Sequence, residues 1–438
     1  MPVRNQIPRS APIDTAKALS DPGRLCFFDR RIFHTSPVKR FIPGSLANVV
    51  RWARRIGELS TRGPTRRNRR GGLDMCSRAK GSISNNEVPA RRYQHLAAIA
   101  GSLVCMLWIF QLHAYAWDRS TATTFAALPQ GSAHPEGMTT DSKGNFYVTT
   151  WDYDHPGQLG HLIVFSPEGK FLRLVEIAGS SNLLCEIRFH PETGDLLVND
   201  FGGKQVLKVD PLTGASSVFI SIPGEKFLSK VPRAAWATPN GMTFDRKGNI
   251  YVADSFQGTV WRTGHGGGAA TPWVKSDLLI SHGYPSLGAN GLTFDRSETV
   301  LFVGNTGNDT IVRIPVVNGE AGKPEVFING VNGPDGMFVD EEDRLWVVAN
   351  QSDEIVVFDK TGKVLAKLGD FNGLDDSGAP RGLLFPAGME KIGDSLFVLN
   401  LAVDGRYWKQ FAQNVIGQWA AQVRVYNIVR IPIPPFPK

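Results

Sequence analysis

The chain has 438 residues and a formal net charge of +7, which would suit a nucleic-acid or membrane partner if the charge lay on a folded domain. The charges are unevenly placed: residues 1–94 contain 20 Lys and Arg against 6 Asp and Glu, whereas residues 95–438 contain 28 against 35. The remainder of the chain is therefore acidic. This excludes the usual basis for nucleic-acid binding, which is a basic surface on the folded part.

The N-terminal segment, residues 1–94, has no hydrophobic periodicity and includes the run RRNRR at residues 66–70. These features predict a basic, disordered segment, or sequence upstream of the working protein with Met75 as the alternative start. The arginine run could also indicate a nuclear or nucleic-acid-binding patch. The secretion signal that follows it argues against that alternative.

Residues 95–116 have the pattern of a secretory signal. An uncharged apolar stretch at residues 96–110 follows Arg91 and Arg92, and Ala-Tyr-Ala stands at residues 114–116. A positive flank, a short apolar stretch and an A-x-A site are typical of a signal peptide. The sequence therefore predicts cleavage after Ala116 and an exported, periplasmic or secreted domain. The alternative is an uncleaved anchor, although a spanning helix usually needs about 20 apolar residues. That anchor would comprise residues 96–112.

The cysteines predict neither a disulfide framework nor a zinc site. Cleavage after Ala116 removes Cys26, Cys76 and Cys105 and leaves Cys185 alone. One cysteine cannot form an intrachain disulfide, and no Cys/His pattern has the spacing of a zinc site. Cys185 precedes the run EIRF at residues 186–189, and we expect it to be buried with an apolar packing role.

A short motif with a near-constant glycine recurs through residues 117–438. Its copies are PEGM at 135–138, PNGM at 239–242, ANGL at 289–292, PDGM at 334–337 and PAGM at 386–389. Most copies are followed by a strand, a polar turn with Gly or Asn, and a second strand. A degenerate sixth copy, aligned on its turn glycine, places Glu186 at the variable position before the glycine. Successive copies lie 45 to 54 residues apart, which is the length of a four-stranded propeller blade.

Six such units predict an all-β fold, a six-bladed β-propeller with four-stranded blades around a central channel, over residues 117–438. An all-β sandwich with chance similarity is the alternative, which six in-register copies disfavour. One exception to the strand pattern is residues 407–421, predicted as a short helix. It precedes a closing strand at residues 424–431.

The variable residues of the six motifs should converge on one rim of the channel. They are Glu136, Glu186, Asn240, Asn290, Asp335 and Ala387. Five of the six carry oxygen, and carboxylate and amide oxygens suit Ca²⁺, Mg²⁺ or Mn²⁺ rather than zinc or copper. The alternative is that these side chains only cap turns. Against it, carboxylates crowded at a channel mouth would repel one another without a cation.

The PEG, PNG, ANG and PDG motifs resemble those of the senescence-marker-protein, gluconolactonase and luciferin-regenerating-enzyme family, over about residues 125–430. The resemblance implies one divalent cation, calcium or a similar ion, bound by Glu136, Asn240, Asn290 and Asp335. It also implies that Asp335 acts in catalysis, as general base. Glu186 has no counterpart in the family pattern, and we predict a fifth ligand or a substrate contact there.

The chemistry implied is metal-assisted hydrolysis of a small lactone or related ester, in which a carboxylate activates water. No G-x-S-x-G motif is present, which disfavours a serine hydrolase. His134 and His282 are alternative bases because both lie near the rim in sequence. The competing hypothesis is an exported binding propeller, similar to those with NHL repeats, with a structural cation. The unmatched Glu186 and the long loops at 151–161 and 222–238 favour it.

One further set recurs at the ends of the second strands. We expect these residues to cap turns or to support the ligands from behind. They are Asp200, Asp254, Asn305, Asn350 and Asn400.

Overall fold

The computed structural model describes residues 119–405 and 417–436, and their regular structure is almost entirely β. Helix in these two ranges is confined to single turns of 3₁₀ helix: Arg233–Ala235, Asp277–Leu279, Thr306–Asn308, Asn350–Ser352 and Ala420–Gln422. The predicted all-β class is confirmed. None of the helices in the described ranges is long and apolar enough to cross a membrane. The predicted signal at residues 95–116 and the basic segment at residues 1–94 lie outside the described residues.

The first three blades are antiparallel sheets whose strands follow one another in chain order from the channel outwards. Blade 1 follows the first strand of the chain, β1 (Thr123–Ala127), and contains β2 (Pro135–Thr140), β3 (Phe146–Thr150), β4 (His161–Phe165) and β5 (Phe171–Glu176). Blade 2 contains β6 (Leu184–Phe189), β7 (Leu196–Asp200), β8 (Gln205–Val209) and β9 (Ser216–Ser221). Blade 3 contains β10 (Pro239–Phe244), β11 (Ile250–Asp254), β12 (Thr259–Thr263) and β14 (Thr271–Lys275), while the short β13 (Gly268–Ala269) pairs with β9.

The remaining blades repeat this arrangement. Blade 4 contains β15 (Ala289–Phe294), β16 (Val300–Asn305), β17 (Thr310–Val317) and β19 (Glu325–Asn329), with the short β18 (Glu320–Ala321) paired to the end of β17. Blade 5 contains β20 (Pro334–Val339), β21 (Leu345–Ala349), β22 (Glu354–Phe358) and β23 (Val364–Leu368). A hairpin of β24 (Phe371–Leu374) and β25 (Pro380–Gly382) leads to blade 6, which contains β26 (Pro386–Ile392), β27 (Ser395–Asn400) and β28 (Asn427–Pro432).

Blade 6 is completed by the first strand of the chain. Strand β1 pairs with β28, so the sheet order is β26-β27-β28-β1 and the two ends of the propeller are held in one sheet. The six-bladed prediction is confirmed. The closing strand begins three residues later than predicted, because the amide of Arg424 donates to the carbonyl of Gly378 instead of a blade partner. Residues 407–416 of the predicted helix at 407–421 lie outside the described residues.

The packing between blades explains why the second strands do not alternate between buried and exposed residues. Each of β3, β7, β11, β21 and β27 is buried along its whole length, since the faces of neighbouring blades pack against both of its sides. The outermost strands, such as β5 and β9, are largely exposed. Because the blades bury one another, the fold needs no helical layer. The first strands contact one another in a closed ring around the channel.

Candidate metal centre

The repeated Pro-x-Gly motif forms a β-bulge inside the first strand of each blade. In blade 1, Pro135 pairs with Thr150 and Met138 with Val148, so that Glu136 and Gly137 together oppose one residue. The same two-against-one pairing occurs in all six blades. A bulge bends its strand and redirects a side chain. The variable residue therefore belongs to the first strand. The sequence had suggested that it lies just before this strand.

The glycine of the motif allows neighbouring first strands to approach closely. A β-carbon on Gly137 would collide with the carbonyl oxygen of Cys185 in the next blade. Equivalent contacts with the next variable residue occur at Gly241, Gly291, Gly336 and Gly388. In these five blades the glycine is thus a steric requirement, since no side chain fits between the neighbouring backbones.

Blade 2 departs from the sequence alignment by one residue. Leu184 pairs with Asp200 and Ile187 with Val198, so the bulge contains Cys185 and Glu186. Cys185 therefore occupies the variable position, and Glu186 occupies the glycine position. The predicted placement of Glu186 was wrong because the turn between β6 and β7 spans six residues, whereas the turn between β2 and β3 spans five. Counting back from the turn glycine shifts the motif accordingly.

Four of the variable side chains line one small cavity. Glu136, Asn240, Asn290 and Asp335 are all buried there, and the cavity has a volume of about 30 Å³. A cavity of this size accommodates an ion or one or two water molecules, but not a whole organic ligand. Cys185 and Asn350 also border it. Ala387, at the variable position of blade 6, is buried and offers no ligand atom.

The two asparagines are held in one amide orientation by hydroxyl groups behind them. Ser255 Oγ donates to the carbonyl of Ala289 at 2.8 Å and therefore must accept the hydrogen bond of 3.1 Å from Asn240 Nδ2. A hydroxyl has a single proton to donate. The amide nitrogen of Asn240 is thus committed to Ser255, and its oxygen, the atom that a hard cation binds, is turned away from the hydroxyl.

Blade 4 repeats this device with threonine. Thr306 Oγ1 donates to the carbonyl of Pro334 at 2.8 Å and accepts from Asn290 Nδ2 at 2.9 Å. In blade 5 the same place is taken by Asn350, whose Nδ2 donates to Asp335 Oδ2 at 3.0 Å. Three neighbouring blades therefore each supply a polar side chain that orients the variable residue of its own blade.

In each blade, the first residue of the motif pairs with a residue at the end of the second strand. We call the next residue along the chain the support position. It is occupied by Trp151, Phe201, Ser255, Thr306, Asn350 and Leu401 in blades 1 to 6. Asn350 belonged to the predicted set of strand-end residues, but it lies one residue further along its blade than the other members do. Ala349 is the residue that pairs with Pro334. The other members cap nearby loops, for example Asn305 through the carbonyls of Leu278 and Ile280.

The two carboxylates of the cavity are buried, and no salt bridge to either is found in the described part of the chain. Burial raises the pKa of Asp335 to about 7, against the opposing hydrogen bond from Asn350 and with repulsion from Glu186. Burial likewise raises the pKa of Glu136, and repulsion from Asp335 and Glu186 adds to it. Buried carboxylates without a counter-charge are unfavourable, and a divalent cation would compensate both.

Cys185 lies against this pair. Its thiol interacts by hydrogen bonding with Glu136, and burial together with the nearby carboxylates raises the pKa of the thiol. It is therefore a protonated donor to Glu136, in a buried position as the sequence predicted. Its place in the ring was not predicted.

Glu186 faces the channel with a different set of partners. Its carboxylate lies 3.1 Å from Nε of Arg188, and Nη1 of Arg188 lies 2.7 Å from Glu390 of blade 6. Within the described ranges, the single group of three acidic, His or Cys side chains with ligand atoms within 4.8 Å is Asp340, Glu341 and Glu342. The structure thus places Glu186 in an ion-pair network, and it does not gather Glu186 with Glu136 and Asp335.

Neither histidine is positioned as a base. His134 Nδ1 is 2.9 Å from the carbonyl of Leu401, and Nε2 is 3.1 Å from the hydroxyl of Tyr426, so both ring nitrogens are engaged. His282 is exposed on a loop, with its backbone amide bound to Asn308. Both histidines are close to the predicted rim residues in sequence, but their side chains do not border the cavity.

The fold and the oxygen-lined cavity define a six-bladed propeller with a candidate site for a hard cation at one end of its channel. Residues 240–369 match the model of the SMP-30/Gluconolactonase/LRE-like region. The match confirms the resemblance predicted from the motifs. The matched residues include Asn240, Asn290 and Asp335 together with all three polar support residues.

Several solved structures are similar to this chain. A luciferin-regenerating enzyme has 13% identity and a TM-score of 0.49, covering 70% of this chain and 93% of its own. A gluconolactonase from Xanthomonas campestris has 14% identity and a TM-score of 0.48, covering 73% and 96%. A calcium-binding protein, regucalcin, from Agrobacterium tumefaciens has 15% identity and a TM-score of 0.47, covering 73% and 97%. Comparison with curated protein sequences gives no significant match.

Proposed function

We propose that this protein is a divalent-cation-dependent hydrolase of a small lactone or a related ester, with calcium as the cation. The observation that carries the proposal is the convergence of two uncompensated carboxylates and two oriented amides on one ion-sized cavity. An oxygen-only set of this kind suits Ca²⁺, and Mg²⁺ and Mn²⁺ belong to the same class. The family match over residues 240–369 supports the same chemistry.

Glu136, Asn240, Asn290 and Asp335 would hold the cation. When bound, it supplies Lewis-acid polarisation of a substrate carbonyl and charge stabilisation of the oxyanion. The protein contributes fixed donors: Ser255 and Thr306 prevent the two amides from turning, so the ligand oxygens are preorganised. Preorganisation of this kind reduces the reorganisation that binding would otherwise require.

Asp335 is the proposed general base. Its Oδ2 accepts a hydrogen bond from Asn350, which fixes the carboxylate, and burial raises its pKa to about 7. A base with a pKa near the working pH accepts a proton from water efficiently and returns it readily. The engaged nitrogens of His134 and the exposed position of His282 favour Asp335 over both histidines.

Substitution of Asp335 by Asn tests the mechanism. The amide retains an oxygen for the cation but cannot accept a proton at neutral pH, so we expect calcium binding to persist while kcat falls about 10²-fold or more. The assay uses sugar lactones, alkyl lactones and aryl esters, with calcium and with a chelator. Equal turnover by wild type and variant would reduce Asp335 to a ligand. Turnover of none of these compounds would favour a binding propeller with a structural cation.

Export is a separate proposal that rests on residues 95–116. We expect the mature protein to begin at or near Trp117, because the A-x-A site ends at Ala116. N-terminal sequencing of material exported by an expressing host checks this. A mature chain that begins upstream of Leu96 would contradict it.

A further inference from the structure

The cavity is bounded by apolar side chains wherever it is not bounded by the ligands and Asn350. Six of them form what we call the apolar wall: Trp151, Phe201, Leu287, Phe385, Leu401 and Val403. Five of these belong to one buried cluster that continues into Trp236 and Phe256, and Phe385 packs against it. A substrate carbonyl that reaches the cavity must therefore displace or pass through an apolar layer.

This wall is not evenly distributed around the ring. At the support position, blades 6, 1 and 2 present Leu401, Trp151 and Phe201, whereas blades 3, 4 and 5 present side chains that hold ligands. At the variable position the same half of the ring has Ala387 and Cys185, and Glu136 is its single oxygen ligand. The lining of the cavity on this half of the ring is therefore almost entirely apolar.

The hydrogen-bond donors of the side chains Cys185, Asn240, Asn290 and Asn350 are already committed, whereas Oδ1 of Asn350 is buried without a hydrogen-bond partner among the described residues. Ser255 and Thr306 each use their proton on a backbone carbonyl, and Asn350 Nδ2 is bound to Asp335. No Lys, Arg or His side chain is among the residues of the described chain that border the cavity. A polyhydroxylated substrate has several hydroxyl groups, and with few free donors or acceptors here most of them would be buried without a partner. Each such group typically weakens binding by about tenfold. Aliphatic or aromatic groups would gain from burial against the wall.

We propose that the substrate of this site is an apolar lactone or ester, with an alkyl chain or aromatic ring next to the reacting carbonyl, and not a sugar lactone. This inference rests on the proposed hydrolase function. In it, the oxygen ligands orient the carbonyl and the apolar wall selects the remainder of the molecule. Trp151 and Phe201 are the residues that determine specificity, since they occupy the support position directly on either side of the Glu136 and Cys185 pair.

A series of δ-lactones with one ring size tests the proposal. We measure kcat/KM with calcium for δ-valerolactone, δ-octalactone, δ-decalactone and δ-gluconolactone, each corrected for uncatalysed hydrolysis. Burial of one methylene group corresponds to about a fourfold gain. We therefore expect kcat/KM to rise along the alkyl series by up to about this factor per methylene, with δ-gluconolactone lowest. A flat series, or δ-gluconolactone at or above δ-valerolactone, would overturn the proposal.

A pair of variants locates the selection in the wall. Phe201→Leu removes an aromatic ring from the wall, and Phe165→Leu removes one from the buried cluster of blade 1, away from the cavity. We expect Phe201→Leu to change the ratio of the δ-decalactone and δ-valerolactone rates by about fourfold or more, and Phe165→Leu to leave it unchanged. Because the ratio is measured on one preparation, it does not depend on the folded fraction. An unchanged ratio in Phe201→Leu would overturn the role of the wall.

Binding of unreactive analogues separates this inference from the proposed hydrolysis. δ-Decanolactam and gluconolactam are titrated in the presence of calcium, with the fluorescence of Trp151 and Trp236 as the signal. If no lactone is turned over but δ-decanolactam binds at least tenfold more tightly than gluconolactam, hydrolysis fails and the apolar specificity stands. If gluconolactam binds equally or more tightly, the apolar specificity fails whatever the turnover.

Discussion

The two halves of the ligand ring are built from the same backbone and differ in chemistry. Blades 3, 4 and 5 contribute Asn240, Asn290 and Asp335, each oriented by a polar side chain at the support position of the same blade. Blades 6, 1 and 2 have the same bulge but place apolar side chains at that position. The bulge therefore specifies where a side chain points, and in blades 3, 4 and 5 the support residue fixes its orientation by a hydrogen bond.

The comparison also divides the roles of the two halves. The family match, residues 240–369, includes the polar half and its support residues. Its oxygens are fixed by hydrogen bonds before any cation arrives, whereas Glu136, from the apolar half, is next to a thiol and aromatic side chains. We interpret the polar half as the preformed part of the cation site, and the apolar half as the part that discriminates between substrates.

The largest expected effect comes from removal of either carboxylate. Glu136→Ala and Asp335→Ala should each weaken calcium binding by more than about 100-fold, since even the loss of an outer hydrogen-bond partner of a metal ligand costs about 10- to 100-fold. Calorimetric titration measures this. Asn305→Ala is the control, because Asn305 caps a loop through the carbonyls of Leu278 and Ile280. Unaltered calcium affinity in both carboxylate variants would show that the proposed cation site is wrong.

The second prediction tests whether the support residue defines the polar half. Thr306→Val removes the acceptor of Asn290 Nδ2, so the amide can turn and calcium affinity should fall about tenfold. Thr149→Val is the matched control: Thr149 is equally buried and bridges to the carbonyl of Cys185, but it contacts no ligand side chain. Both variants should lose stability, and only Thr306→Val should lose affinity. An equal loss of affinity in both would show that the support position has no special role.

The third prediction concerns pH. Asp335 has a pKa of about 7 in the folded, metal-free protein, above the usual value for an aspartate. The folded state therefore keeps a proton that the unfolded chain has lost, so the stability of the metal-free protein should fall as pH rises from about 4 to about 7. Over the same range calcium must displace that proton, so its affinity should rise by up to about tenfold per pH unit for this proton. The raised pKa of Glu136 adds to this rise. Titrations and thermal melts at pH 5.5, 6.5 and 8 measure both trends. Affinity that is constant across this range would contradict the assigned pKa.

The fold was predictable because a repeat constrains all its copies at once. In five of the six blades the glycine of the motif is required by the approach of the next first strand, so it recurs where other residues differ, and its spacing indicates the blade. The closure by β1 was not predictable, since Thr123–Ala127 is short and has no copy of the motif near it. Its place depends on pairing with β28, some 300 residues later in the chain.

The positions of the variable residues were predictable where the motif was regular. In blades 1 and 3 the turn after the first strand has five residues, and counting from the turn glycine identifies Glu136 and Asn240 as the variable residues. In blade 5 the turn has no glycine, and the PDGM motif itself identifies Asp335. In blade 2 the longer turn defeats this counting, and Cys185 was missed. Ser255 and Thr306 were not predicted, because the support position can be recognised only once the strand pairing is known. The signal in the sequence was a residue with a hydroxyl group directly after the last paired residue of the second strand.

The smallest expected effect concerns the glycine position of blade 2, where the bulge carries a carboxylate. Glu186→Gln should change calcium affinity by no more than about threefold, because its charge is already compensated by Arg188. Glu390→Gln is the matched control, since Glu390 pairs with the same guanidinium from the other side. The two variants should reduce stability to a similar extent, as each leaves Arg188 with one partner. If Glu186→Gln lowered affinity as strongly as Glu136→Ala while Glu390→Gln did not, Glu186 would be a fifth ligand. The apolar half would then contribute two charged ligands, and the contrast between the two halves would fail.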